Sequence, residues 1–171
     1  MGWLDRQRPV LQSALNWIPA RALMLSNKAK YGLKAMLYLA ERAGEGGRLG
    51  ADIAKSEHIP KKFLDFILLQ LKNNNLLFSR KGRGGGYSLA RPPTNISVGE
   101  IIRILDGPLA LITCASQNAY APCTDCTDPE SCQIRAIMRK VRDATAEILD
   151  NTTLVDLATD RAPKMVLYYD I

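Results

Sequence analysis

The chain has 171 residues, 47% hydrophobic and 23% charged, with 23 basic against 17 acidic side chains and a net charge of +6. That length makes one ordinary domain, or a small domain with a long appendage, and the apolar share is enough to bury a core. No apolar stretch approaches the roughly 18 residues that span a bilayer, and 12 Gly and 9 Pro exclude collagenous and low-complexity classes.

The charge is uneven. Residues 24–100 carry 13 Lys/Arg and 6 Asp/Glu (net +7), residues 101–171 carry 7 and 10 (net −3), and residues 1–23 carry 3 and 1 (net +2). A basic first half suggests a polyanionic partner for that part alone, nucleic acid ahead of an anionic membrane surface.

In chain order, residues 1–23 hold Pro9, Pro19 and both tryptophans and lack the apolar core and cleavage site of a secretory signal. They read as an amino-terminal extension, either a mobile tail or the product of an upstream start codon. From Tyr31, the apolar residues Leu33, Met36, Leu37 and Ala40 fall at i, i+3, i+4 and i+7, which predicts a helix ending at Gly44–Gly47. A short second helix fits Gly50–Glu57, with Ile53 and Ala54 inward. Pro60 opens a third helix whose inward face is Leu64, Ile67, Leu68 and Leu71. Asn73–Asn75 ends it, because Asn tolerates the left-handed conformation.

Two short strand-like runs, 76–80 and 87–91, flank the glycine loop 81–86 and predict a β-hairpin. Ser97-Val98-Gly99-Glu100 has capping-box spacing for a helix that ends at Asp106-Gly107-Pro108. A polar, turn-rich stretch follows. Ile134, Ile137, Met138, Val141, Ile148 and Leu149 then mark one long helix, and the chain from Asn151 onward is weakly patterned.

Three helices and a two-stranded hairpin are the winged helix-turn-helix plan, a mainly α fold with a small β wing. This divides the chain into the extension 1–23, a winged DNA-binding domain over 24–107, a cysteine-rich sensor loop over 108–133, a dimerisation helix over 134–150 and a tail over 151–171. Lys61 and Lys62 stand in the first turn of the third helix, the part of a recognition helix nearest base edges and phosphates. Arg80, Lys81 and Arg83 surround glycines that let the wing approach a groove, and Lys28 precedes the first helix. Each signal alone is weak, since paired lysines are often merely solvated; together and in order they point to DNA.

All four cysteines, Cys114, Cys123, Cys126 and Cys132, fall within 19 consecutive residues. A disulfide framework would staple distant segments, so one cluster reads as a metal site or a thiol switch in a reducing cytoplasm. Four cysteines with one C-x2-C pair also suit structural zinc, although zinc fingers usually show two such pairs.

The sequence resembles the Rrf2 family of bacterial transcription regulators over about residues 24–150. The likeness rests on Ser26-Asn27-Lys28-Ala29-Lys30-Tyr31-Gly32-Leu33, Ile53-Ala54 and Ile59-Pro60-Lys61-Lys62-Phe63-Leu64. It continues through Gly84-Gly85-Gly86-Tyr87-Ser88-Leu89-Ala90-Arg91 and Ile96-Ser97-Val98-Gly99-Glu100-Ile101-Ile102, then the late cysteines and a long helix. The resemblance implies a cytoplasmic homodimer on a pseudo-palindromic double-stranded DNA operator, with the long helix crossing to the partner. It also implies an iron–sulfur cluster, 2Fe–2S or 4Fe–4S, on Cys114, Cys126 and Cys132. The family's fourth ligand is a His three residues past the last cysteine, where this chain has Arg135, or an acidic residue of the partner's first helix, where residues 24–40 have none. Cys123 is therefore the candidate fourth ligand. Against an enzyme, the chain has one His, no nucleophile elbow and no phosphate loop.

Overall fold

Ser26 both caps and anchors the first helix, α1 (Asn27–Glu41). Its hydroxyl accepts the Ala29 N–H at 3.1 Å, and its own N–H donates to Asp106 Oδ2 at 3.0 Å, 80 residues later. The computed structural model describes residues 25–82, 84–126 and 128–159. The predicted extension 1–23, Arg83 and the end of the tail lie outside the described residues.

The buried face of α1 is Ala29, Gly32, Ala35, Met36, Tyr38 and Leu39, while Leu33, Leu37 and Ala40 are half-buried. The face predicted from the large apolar residues is thus rotated. Gly32 explains the offset: a Cβ there would collide with the Leu105 side chain, so the helix packs closest where its residues are smallest.

Helix α2 (Gly50–Ser56) and helix α3 (Lys61–Asn73) form the helix-turn-helix. The turn passes through His58, exposed and left-handed at φ 54°, and Pro60 occupies the N-cap of α3. Leu64, Ile67, Leu68 and Leu71 are buried as their spacing predicts. The edge-to-face contact of Tyr31 with Phe63, centroids 5.9 Å apart, braces α1 against α3. Asn75 closes the helix at φ 59°.

The wing pairs β1 (Leu77–Arg80) with β2 (Gly86–Leu89) antiparallel, Leu77 opposite Leu89 and Arg80 opposite Gly86. A bridge the sequence did not signal adds to it, as Arg48 and Tyr87 exchange backbone hydrogen bonds of 2.9 and 2.8 Å. Gly86 makes this pairing possible, because at φ 134° a Cβ would strike the Arg48 backbone.

Ser97 caps α4 (Val98–Asp106) by accepting the Glu100 N–H at 3.2 Å. The predicted reciprocal bond is not made; Glu100 instead takes both oxygens to Arg91, at 2.7 and 2.8 Å. Helix α5 (Gln133–Asn151) has 19 residues and is about 28 Å long. After it the chain returns to the winged unit: Val98 N–H donates to the Thr152 carbonyl at 2.9 Å, and Leu154 N–H donates to the Ile96 carbonyl at 3.0 Å. Helix α6 (Leu154–Ala158) starts with a complete Thr153/Asp156 capping box and places Leu154 in the same buried core as Met36, Ile67 and Ile101. Among the described residues, no helix is long and apolar enough to cross a membrane.

Because Leu154 is fully buried while Leu157 is 36% exposed, Leu154→Ala is expected to cost about 2–5 kcal/mol. Leu157→Ala should cost much less. Urea denaturation of both variants checks whether the segment after α5 belongs to the winged core.

Candidate DNA-binding face and cysteine site

Lys28, Lys62, Arg80 and Lys81 make no ion pair with another described residue. Lys62, Arg80 and Lys81 are exposed, and Lys28, expected ahead of the first helix, lies half-buried in its first turn because Ser26 caps the helix one residue before Asn27. Lys61 differs from its neighbour: its Nζ sits 2.8 and 2.6 Å from the two carboxylate oxygens of Asp65, one turn on. Of the two lysines singled out on α3, Lys62 therefore carries the uncompensated charge. Arg80 ends β1 and Lys81 follows it, so both stand at the tip of the wing. Arg83, at the same tip in sequence, lies outside the described residues.

The cysteines occupy the segment between α4 and α5. Cys114 sits in a single 3-10 turn, Thr113–Ala115, and is 4% exposed. Cys126 and Cys132 are half-buried, Cys123 is exposed, and all four are free thiols. Cys132 caps α5, its sulfur accepting the Arg135 N–H at 3.5 Å where an oxygen usually serves. The Cys123 side chain interacts with that of Cys114, which pushes its thiol up to about 11. The Cys126 thiol is also raised, by partial desolvation and by the nearby Cys132 sulfur, with a smaller effect from Cys114. The four sulfurs thus belong to one neighbourhood.

Soft thiol donors suit an iron–sulfur cluster. Among the described residues, no three Cys, His, Asp or Glu side chains converge tightly enough to hold a single metal ion. A cluster spreads its cysteines over several irons, so its ligands need not meet around one point.

Two arginines unremarked as anchors in the sequence fasten this loop to α5. Arg135 Nε donates to the Cys114 carbonyl at 3.0 Å, and its Nη1 donates to the Pro129 carbonyl at 3.1 Å and to Glu130 at 2.8 Å. Arg142, 8% exposed, donates to the Ala115 carbonyl and to Asp143 Oδ1. Their spacing of seven puts both on one face of α5, a signal a helical-wheel reading could have found. A further tie joins α5 to α4: Arg103 and Asp150 form a two-pronged pair of 2.6 and 2.7 Å, and Arg103 holds the Asp150 carboxyl below the usual carboxylate range. On another face of α5, Ile134, Ile137, Val141 and Ile148 are exposed.

Comparison with known proteins agrees with this architecture. Residues 25–160 match the profile of the Rrf2 family, described as iron-dependent transcriptional regulators. An rrf2-like HTH-type regulator of Rhodobacter capsulatus is 38% identical over 150 residues, 86% of this chain and all of that one. The structure of CymR, the global cysteine regulator of B. subtilis, superposes with a TM-score of 0.67 at 34% identity, over 81% of this chain and 98% of that one. T. potens IscR gives a TM-score of 0.65 at 31% identity, over 83% and 90%. With a winged helix-turn-helix, a basic third helix and a family match across nearly all the described residues, this chain belongs to the Rrf2 family of transcription regulators and is not an enzyme.

Proposed function

We propose that the protein docks α3 in the major groove and follows the flanking phosphates with Lys28, Lys61, Lys62, Arg80, Lys81 and Arg83. Its operator affinity is set by the state of the loop bearing Cys114, Cys123, Cys126 and Cys132. Cys114, Cys126 and Cys132, with Cys123 as the fourth donor, would hold an iron–sulfur cluster, which when bound supplies sensitivity to iron, oxidants or nitric oxide. The exposed stripe of α5 packs against a second copy, and the resulting two-fold dimer reads a pseudo-palindromic site in the cytoplasm.

The observation that carries this reading is the double arginine anchor. A change at the sulfurs that displaces Cys114 also displaces the carbonyls of Cys114 and Ala115. Arg135 and Arg142 must then follow or lose their partners. The Arg103–Asp150 pair hands the movement to α4, and Gln70 Nε2, donating to the Ile104 carbonyl at 2.6 Å, links α4 to the reading helix.

A second reading is a metal-free thiol switch, favoured by the side-chain pairings of Cys123 with Cys114 and of Cys126 with Cys132. Neighbouring thiols of this kind form disulfides under oxidation.

Protein purified without air is expected to show visible absorption with stoichiometric iron and sulfide, and Cys123→Ser should change the spectrum or hasten its loss. A colourless protein that stays metal-free after anaerobic reconstitution would move the assignment to the thiol switch. Stoichiometric zinc would make the site structural. At the wing, Lys81→Ala should weaken all duplexes alike and lower the slope of log affinity against log salt by about 1.8, the loss of one phosphate contact from each wing of the dimer. Arg142→Gln should leave DNA affinity of the reduced, metal-free protein near that of the parent while shrinking the difference between the two states of the loop, measured by fluorescence anisotropy. A full-sized difference in that variant would remove Arg142 from the relay.

A further inference from the structure

The outward face of α3 carries two large apolar side chains. Lys62, Phe66, Leu69 and Asn73 follow at i, i+4, i+7 and i+11, directly opposite the buried Leu64, Ile67, Leu68 and Leu71. Phe66 is 56% exposed and Leu69 is 48% exposed. Lys61, which stands to one side, is tied to Asp65. Two large apolar side chains and one free cation therefore occupy the strip that a reading helix presents to its target.

Building on the DNA-binding reading of α3, we infer that Phe66, supported by Leu69, selects operator sequence by packing against thymine C5-methyl groups in the major groove. A phenyl ring and an isobutyl group can neither donate nor accept a hydrogen bond, so they cannot read the polar code of the base edges. The apolar group that unmodified DNA offers in the major groove is the thymine methyl. Contact between the two removes apolar surface from water on both sides, which makes the exposure of Phe66 and Leu69 favourable once DNA is bound. Position agrees with chemistry. Phe66 lies about 6 Å along the helix axis from Lys62. In a groove about 12 Å wide, one placement of α3 can set the lysine on a phosphate and the ring over the bases.

Lys62 then fixes register without carrying sequence information, and Phe66 discriminates. Asp65 could accept from a cytosine amino group in principle, but its carboxylate oxygens are engaged by Lys61. The expected operator half-site thus carries thymine under the first two turns of α3.

The test uses the full chain and a pool of random-sequence duplexes. After selection, each thymine of the enriched duplex is replaced singly by deoxyuridine, which lacks only the C5-methyl, and affinities are measured by fluorescence anisotropy at fixed salt. For the parent protein, at least one replacement per half-site should weaken binding about fourfold, the value of one buried methyl group. In Phe66→Gln, thymine and deoxyuridine at that position should bind alike, with Leu69→Gln showing a partial loss of discrimination. Both residues are exposed, so thermal melting should be unchanged in either variant. The inference is overturned if deoxyuridine costs the parent nothing, or if the loss persists undiminished in Phe66→Gln. It is overturned too if Phe66→Gln dissociates the oligomer in sedimentation, for the face then meets a second copy. Failure to enrich any duplex would instead bring down the DNA-binding reading on which the inference rests.

Discussion

Arg142 is a buried arginine on the helix that follows the cysteines. The residue is 8% exposed, and its guanidinium finds its partners in the Ala115 carbonyl and the Asp143 carboxylate. Leaving a buried cation uncompensated costs several kcal/mol, so the turn that holds Cys114 and the helix that follows the cysteines are bound to move together. Arg135 repeats the arrangement two turns earlier and extends it to Pro129 and Glu130, on the far side of the loop. A polar, glycine-free stretch that would otherwise be loosely held is thereby fastened at both ends to one rigid element.

The other end of that element is fastened as firmly. Gly99 leaves room for Asp150, since a Cβ there would collide with the carboxylate, and Arg103 grips both its oxygens. Beyond α5 the backbone pairs with the start of α4, and Leu154 enters the core of the winged unit. Helix α5 is therefore a strut between the thiols and the winged unit. Its exposed Ile134, Ile137, Val141 and Ile148 remain free for a further surface. In the function proposed above, sensing and reading are coupled through this frame without any long rearrangement, because each junction is a short, directional polar contact.

Helix α3 illustrates how one element serves two environments. Leu64, Ile67, Leu68 and Leu71 build the core, and the opposite strip faces outward with Lys62 and Phe66. The ion pair of Lys61 with Asp65 removes a charge from the side of this strip, which sharpens the contrast between its cation and its apolar residues.

Much of this was legible in the sequence because it rests on local periodicity. The 3.6-residue spacing of α3, the Ser97 cap, the Asn75 stop and the glycine-rich wing are all short-range signals, and each appears where expected. So is the confinement of the cysteines to one loop. The buried face of α1 is rotated from the expected one, because the sequence advertises large apolar residues whereas close packing against α4 selects Gly32. The Glu100 side chain turned to Arg91, nine residues away, instead of back to its own helix.

What the amino-acid order determined by itself was the run of elements from α1 to α5, the basic character of residues 24–100 and the confinement of the thiols to one loop. What only the tertiary structure decided was which groups meet across distance: Arg142 with Ala115, Arg103 with Asp150, Arg48 with Tyr87 and Leu154 with the core. Periodicity and capping act within a turn or two of chain. A buried guanidinium or carbonyl must find its partner wherever the folded chain brings one, and no short-range pattern records that place.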